Sequence, residues 1–536
     1  MITLKQLFLV LICVMPIQMV GQLDTMWTRS FGGGADDVVG LTMIGNMGAP
    51  AASIAQSNGV NCVVTSTLSA NGDVPVAALG EEDGWIFATT LMGEPLWTER
   101  FGGSSYDRPS KIINVFQGGF VVVGRTSSQD GSFSDNHSAM QDGFVRRYAI
   151  DGTLLWSKCY GGSGDDMLYD VIMDWQGNLV ACGETGSNDG DLLNTGAGLN
   201  WLLKINADDG SVIWSKAYEG PDHAGGNQDF LENFYRLTQI NSGNYVCAGF
   251  TTPSFSDFNQ DDILLAEISQ AGDLQWITEV GSANAGDYAS SIRAAVDGGF
   301  FVCGRLSGSG GNATEYYGGG GDFWLLRYDE NGQMLWERNY GGSDYDFAFD
   351  MRRETVDGIW MAGFTRSSDG EATAAGFGLM DFFLIKTDFN GDVLHTERFG
   401  GSANDVLMGL VWESSMIITV GRTFSSDGFI QENAGGSDVF VSVWYGDVVN
   451  VPEISSQLSL FPNPATEYVT LRWPASAPVE YIRILDTSGR LFREYPVHGL
   501  KKFVFTSEGL QAGVYIVQCS GQGPVLTSRL LVSGDK

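Results

Sequence analysis

Apolar and polar positions alternate in short runs along most of the chain, and turn-forming residues separate the runs. In one stretch the runs are DMLYDVIMD (166–174), GNLVACGET (177–185), NWLLKIN (200–206) and SVIWSKAY (211–218). Gln176-Gly177, Asn188-Asp189-Gly190 and Asp208-Asp209-Gly210 lie at or between their ends. Runs of this length bounded by Gly, Asn and Asp predict four strands joined by turns. The turns between third and fourth strands recur as Ile150-Asp151-Gly152, Glu330-Asn331-Gly332 and Phe389-Asn390-Gly391. They suit tight hairpins, whose glycine takes φ > 0.

This four-strand pattern repeats. Its clearest mark is a phrase in the fourth strand: WTRSFGGGADD from Trp27, WTERFGGSSYD from Trp97, WSKCYGGSGDD from Trp156, WERNYGGSDYD from Trp336 and HTERFGGSAND from His395. Degenerate copies begin at Trp214 and Trp276, so successive anchors stand 58 to 70 residues apart. Radial repetition of four short antiparallel strands predicts an all-β fold, a β-propeller. The last unit ends on its third strand, Asp438–Trp444, while Met26–Phe31 carries the fourth-strand pattern. The N-terminal strand is therefore expected to complete the last blade, giving a seven-bladed β-propeller over residues 22–446 with hidden edges. An open β-solenoid is the alternative; it would not need the first strand to stand in for a missing last one.

The flanks differ. Residues 1–21 read as a secretory signal peptide, with Lys5 as the basic start, an apolar run from Leu7 to Met15 and a small-residue cleavage site at Met19-Val20-Gly21. Ile12 before Cys13 argues against a lipid acceptor, and no later segment is apolar enough for a membrane helix. Residues 447–457 read as a linker. Residues 458–536 do not match the repeat; their alternating runs (458–471, 481–494, 509–519, 528–533) predict a small β-sandwich.

In this tail Pro462-Asn463-Pro464, Asp486 with Gly489-Arg490, Gly513-Val514-Tyr515 and a final Leu-Leu-Val run fall in order. The tail resembles the C-terminal sorting domain of type IX secretion substrates. That resemblance implies an immunoglobulin-like sandwich that guides the passenger through the outer membrane, with the type IX machinery as its partner. The passenger would then be secreted or held at the outer cell surface after crossing the periplasm. The alternative is an adhesive sandwich kept on the mature protein. The repeat resembles the sixty-residue propeller repeats of secreted and surface proteins of the same bacteria, which implies a fold and no particular activity.

Charge narrows the partners. The chain has 536 residues with 64 acidic and 30 basic side chains, a net charge of −34. A nucleic acid or an anionic membrane needs a basic footprint, so both are excluded. The charge lies in the passenger: from Glu453 onward there are 7 acids and 8 bases, and residues 1–21 hold only Lys5. Cys62, Cys182, Cys247 and Cys303 occupy equivalent places in successive units, which predicts small buried hydrophobes too far apart to pair.

Strand alternation puts the fourth-to-first and second-to-third connections on one face, and these are the long, Gly- and Asp-rich ones. Three sets of acids recur there: Asp37, Asp107, Asp166, Asp287, Asp346 and Asp405; Asp130, Asp189, Asp369 and Asp427; and Asp83, Asp142, Asp262, Asp322, Asp381 and Asp438. One reading makes each a side-chain stabiliser of the adjacent Gly-Gly-Ser turn. The other makes Asp107, Asp166, Asp346 and Asp405 oxygen ligands of a hard cation such as Ca²⁺, with no cofactor otherwise required. The regularly spaced tryptophans read as blade packing. Tyr106, Tyr316, Tyr317 and Tyr345 are the loop aromatics suited to a ligand.

Nothing singles out a catalytic centre. The four histidines (His137, His223, His395, His498) are scattered, which leaves no His-based zinc site and no Ser-His-Asp set. The first expectation is an extracellular binding module for a glycan, peptide or protein on the long-loop face. A glycan-cleaving hydrolase or lyase using two face carboxylates, and a structural surface component, are the alternatives.

Overall fold

The structure is a computed structural model. It describes residues 23–445 apart from 39–51, 76–77, 117, 139, 193–199, 220–230, 253–260, 284, 354–357, 374–375 and 414–415, and residues 459–532 apart from 462–467, 474–478, 486–490, 498–501, 508, 511–512 and 522–525. The signal-peptide stretch 1–21 and the linker 447–457 lie outside the described residues. The chain divides into two compact units, residues 1–446 and 447–536.

Among the described residues the first unit forms seven four-stranded antiparallel sheets. Six are contiguous in sequence, starting at Ala52, Asp107, Asp166, Leu231, Tyr288 and Asp346. The seventh joins Asp405–Glu413, Met416–Thr423 and Asp438–Tyr445 to the N-terminal strand Asp24–Phe31. That strand pairs antiparallel with Asp438–Tyr445, Trp27 opposite Val443 and Phe31 opposite Val439. The first strand of each sheet packs on the first strand of the next, and Asp405–Glu413 packs on Ala52–Ser57. The arrangement is propeller-like.

Each sheet is sandwiched between two others, so its middle strands are apolar on both faces. Phe120–Thr126, Phe300–Leu306 and Ile359–Thr365 are almost wholly buried. Fourth strands such as Pro95–Phe101 expose their beginnings and bury only their ends. The cores therefore lie between sheets: one cluster joins Cys62, Val64 and Phe101 of the first sheet to Phe120, Val122 and Phe144 of the second. Another joins Phe31, Val441 and Val443 of the seventh sheet to Ile54, Val63 and Trp85 of the first. Cys62, Cys159, Cys182, Cys247, Cys303 and Cys519 are free and buried.

The repeated phrase is a clamp from one sheet onto the next. Trp97 Nε1 donates to the Ile150 carbonyl at 3.0 Å, in the hairpin between third and fourth strands of the following sheet. Trp156 does the same to Ala207 at 3.1 Å and Trp214 to Gln270 at 3.2 Å. Tyr160, Tyr218 and Tyr340 add hydroxyl bonds to the carbonyls of Gly210, Gly272 and Gly391 in those hairpins. Trp276 differs, bonding Glu267 of its own sheet. At the seam Trp27 of the seventh sheet donates to Leu91 of the first at 2.7 Å. Gly93 shows why the hairpin needs glycine: its φ is +82°, and a Cβ would lie 3.0 Å from the Trp27 ring.

The second unit has a sheet of Ser459–Phe461, Tyr468–Arg472 and Lys502–Thr506 and one ordered Leu491–Pro496, Val479–Leu485, Gly513–Gly521, Leu526–Val532. They share a core that includes Val469, Leu471, Ile482, Ile484, Val517 and Leu530. Among the tail motif residues, Tyr515 is in this core and Gly513 opens its strand. Pro462, Asn463, Pro464, Asp486, Gly489 and Arg490 lie outside the described residues.

Trp27→Ala and Trp97→Ala should each lower the unfolding free energy by about 2 kcal/mol through lost packing and a lost hydrogen bond. Urea denaturation checks this. An unchanged midpoint for Trp27→Ala alone would mean that the seam is not held as the other junctions are.

Candidate functional site

The long connections meet at each junction between sheets, and their acids divide into three jobs. In the first set Asp107, Asp166, Asp346 and Asp405 open the first strands of their sheets, Asp287 directly precedes Tyr288–Ala294, and Asp37 follows the seventh-sheet strand Asp24–Phe31; all six are wholly buried. Asp107 Oδ2 accepts the Gly103 N–H at 2.7 Å and the Ser128 hydroxyl at 2.9 Å, and its Oδ1 accepts the Thr126 hydroxyl at 2.5 Å. Asp37, Asp166 and Asp405 repeat this with Gly33, Thr67 and Ser69, with Gly162, Thr185 and Ser187, and with Gly401, Thr423 and Ser425. Asp346 holds Gly342 and Ser367, and Asp287 accepts the Ser282 and Ser307 N–H groups. Each carboxylate pins the incoming loop to its own sheet. The backbone N–H of the same residue reaches back: Asp107 donates to Glu82 and Asp37 to Ser437 in the preceding sheet.

The second set ties loop to loop. Asp130, Asp189, Asp369 and Asp427 accept the N–H of Ser104, Ser163, Ser343 and Ser402, each at 2.7 Å. These bonds hold the carboxyls of Asp189, Asp369 and Asp427 below the usual range.

The third set opens the third strands and faces the first set across a glycine. A Cβ on Gly102 would lie 2.6 Å from Asp83 Oδ1 and 2.7 Å from Asp107 Oδ2. Only glycine backbone passes between the two acids. Burial pushes Asp107 and Asp142 up to about 6, and the facing Asp83 and Asp166 add to it. Burial likewise raises Asp322 to about 7 and Asp438 to about 6, with Asp346 and Asp37 contributing. Four acids of this set have a side-chain partner, and its chemistry varies from sheet to sheet. Arg100 pairs with Asp83 and Arg398 with Asp381, both at 2.6 Å. His137 Nδ1 lies 2.6 Å from Asp142, and Asn339 donates to Asp322 at 3.3 Å.

Among the described residues no group of three or more His, Cys, Asp and Glu is placed to hold a metal ion. The oxygens of Asp107, Asp166 and Asp405 all accept protein hydrogen bonds, and Asp346 spends one oxygen on two. The Thr-x-Ser that closes five of the second strands (Thr67/Ser69, Thr126/Ser128, Thr185/Ser187, Thr365/Ser367, Thr423/Ser425) supplies hydroxyl partners of these acids. Its period was readable in the chain, but nothing local linked it to an aspartate about twenty residues upstream.

The four tyrosines do not form one site. Tyr106 and Tyr345 hold equivalent places at different junctions, each bridged to the preceding sheet through Glu82 and Gly321. Tyr106 is 45% exposed, with Arg108 over its ring at 5.1 Å. The Tyr345 hydroxyl accepts from Arg305 at 3.1 Å, and its ring packs edge-on to Phe364. Tyr316 packs against a neighbouring core, while Tyr317, 44% exposed, lies in the same loop.

Asp166→Ala should cost about 3 kcal/mol or more in urea denaturation, because it strands a buried N–H and two hydroxyls. Asp189→Ala, at an exposed site, should cost about 1 kcal/mol. An equal effect of the two would contradict the division between them.

The raised acids also set a pH dependence. Asp107, Asp142, Asp322 and Asp438 have an ordinary value of 3.8 and stand at about 6 to 7 in the fold. The folded state then binds more protons than the unfolded one, so their contribution is full below pH 4 and is lost as pH rises through 6 to 7. The melting temperature should fall by about 2 °C or more between pH 5 and pH 8, and Asp322→Asn should flatten the profile. A melting temperature that rises over this range would refute the assignment.

Sequence comparison with curated proteins finds no match. Among solved structures the chain is similar to BamB from Moraxella catarrhalis, with 11% identity, TM-score 0.35, and coverage of 79% of this chain and 100% of that one. It is also similar to the quinohemoprotein alcohol dehydrogenase from Comamonas testosteroni, with 10% identity, TM-score 0.38, and coverage of 78% and 76%. Residues 459–533 match the family described as the secretion system C-terminal sorting domain, so the second unit is a sorting domain and marks the protein for export.

Proposed function

We propose that the chain is an exported seven-bladed β-propeller that works outside the cell as a binding module. In this reading an immunoglobulin-like sorting domain delivers it through the type IX machinery, by way of the periplasm, to the medium or the outer surface. The sorting-domain match over 459–533 carries the export half. No helix among the described residues is long and apolar enough to cross a membrane.

The binding half rests on how the long-loop face is made. Its recurrent acids are spent on fixing the loops, which leaves a rigid platform whose loops differ in sequence from sheet to sheet. Asp83, Asp142 and Asp381 sit behind glycine backbone, fully buried and closed by Arg100, His137 and Arg398, so they hold the platform rather than meet a substrate. Tyr106 and Tyr317 stand out of the platform at separate junctions, available to a glycan, peptide or protein ligand.

Removing residues 447–536 should leave the propeller folded and trapped in the periplasm, where cell fractionation and immunoblotting will find it. Export of the truncated chain at the full level would overturn the role given to the tail. A glycan and peptide array read together with a reducing-sugar assay tests the module: binding without turnover is expected. Turnover abolished by a single Asp→Asn change would replace it with a hydrolase.

A further inference from the structure

The seam between the first and last strands breaks the repeat at one position. In the first sheet Arg100 lies opposite Trp85, two residues after Asp83. In the sixth, Arg398 lies opposite Phe383, two residues after Asp381. Both guanidiniums are buried and bonded in the same way. Arg100 Nε donates to Asp83 at 2.6 Å and its Nη1 to the Ser69 carbonyl at 2.5 Å. Arg398 Nε donates to Asp381 at 2.8 Å and its Nη1 to the Ser367 carbonyl at 2.5 Å. In the seventh sheet the same register place, opposite Phe440 and two residues after Asp438, holds Ser30.

Two other sheets that lack the arginine, the second and the fifth, fill its role. Where Cys159 stands, His137 bonds Asp142 and Asn136 bonds the Ser128 carbonyl. Where Asn339 stands, its own amide bonds Asp322. At the seam Asn433, the counterpart of Asn136, lies on the wall of a cavity and donates to the Thr423 carbonyl at 3.4 Å, but among the described residues no side chain bonds Asp438. Asp438 is 1% exposed, and its Oδ2, the oxygen that takes the arginine in the first and sixth sheets, accepts only the Ala434 N–H at 2.7 Å; its Oδ1 has no partner, as is also true of Asp83, Asp142 and Asp322. The cavity, of about 460 Å³, is lined by Ser30, Gly32, Asp438 and Ser426, with Asp73 and Glu432 also on its wall. Asp438 Oδ1 faces Gly32 as Asp83 Oδ1 faces Gly102, so the oxygen left open by the missing arginine is Oδ2. Arg29, beside Ser30 on the same strand, is part-exposed and turned to Asp73 at 3.5 Å.

We propose that this cavity binds a guanidinium group, as carried by an arginine side chain of a peptide or protein partner. The molecule supplies the template twice over. Asp83 with the Ser69 carbonyl, and Asp381 with the Ser367 carbonyl, show what this place in a sheet takes. By position in the sheet, Asp438 corresponds to these acids and Ser425, next to Ser426 on the cavity wall, to Ser69 and Ser367. A planar guanidinium satisfies a carboxylate and a carbonyl at once, where a point-like ammonium satisfies them less well. Asp73 and Glu432 at the wall, and the acidity of the whole unit, draw cationic groups toward it. The proposal rests on the reading of the long-loop face as a binding face and names the chemistry of one place on it.

The test is calorimetric titration of the full chain with N-acetyl-arginine amide, with N-acetyl-citrulline amide as the neutral analogue of the same shape. Arginine should bind saturably and at least about tenfold more tightly than citrulline, with Asp438→Asn removing that preference. Ser30→Arg should restore the pair made in the first and sixth sheets, raise the melting temperature and abolish arginine binding. That variant keeps the test open if Asp438→Asn fails to fold. Equal affinity for the two amides, or unchanged arginine binding by Ser30→Arg, would overturn the proposal. Its failure leaves an array-detected ligand elsewhere on the face intact, whereas absence of any ligand on the arrays would remove the binding-module reading itself.

Discussion

The fold depends on keeping a buried carboxylate at the joint between one sheet and the next. An ionised group at zero exposure is costly unless donors surround it. Here one N–H and two hydroxyls converge on Asp107, and the same set recurs at Asp37, Asp166 and Asp405. The sheets are otherwise joined by apolar faces, and apolar contact is not directional. The carboxylate supplies the direction. It fixes the angle at which the chain leaves one sheet and enters the next, while Trp and Tyr fix the opposite edge through the following hairpin.

The seam follows from the same parts. The strand Asp24–Phe31 brings Trp27 to Leu91 as Trp97 is brought to Ile150, and Asp37 donates to Ser437 as Asp107 donates to Glu82. A joint that spans some four hundred residues of chain is thus built from the bonds used between neighbours. Its loop entropy is the largest in the unit, and pairing both edges of the seventh sheet answers it while hiding an edge strand. The one departure at this joint is Ser30, where two other sheets place an arginine.

The acidity has a physical account in these terms. Recurrent aspartates do three jobs at each joint: pinning the loop to its sheet, bonding loop to loop, and facing the first acid across glycine. Only the last leaves charge without a fixed answer, and the sheets answer it separately with Arg100, Arg398, His137 or Asn339. Variation in a repeat is concentrated where the repeat is electrostatically unfinished. That is also where a surface built of near-identical units acquires places that differ.

Much of this was legible in the chain. The spacing of Trp27, Trp97, Trp156, Trp214, Trp276, Trp336 and His395, and the turn glycines between alternating runs, predicted four-stranded units and a displaced first strand, because hairpins and strand faces are local properties. The turn role of the aspartates could be read from the adjacent Gly-Gly-Ser. Their hydroxyl partners could not, since Thr126 and Ser128 meet Asp107 only after a hairpin has folded back. The sequence by itself determined the strands, their turns and the order of the units. Tertiary structure alone decided which acids face one another, which keep an unpartnered oxygen, and where Ser30 opens a cavity. Burial and the approach of residues some four hundred positions apart, as at Ser30 and Asp438, are set by how sheets pack, which no local pattern encodes.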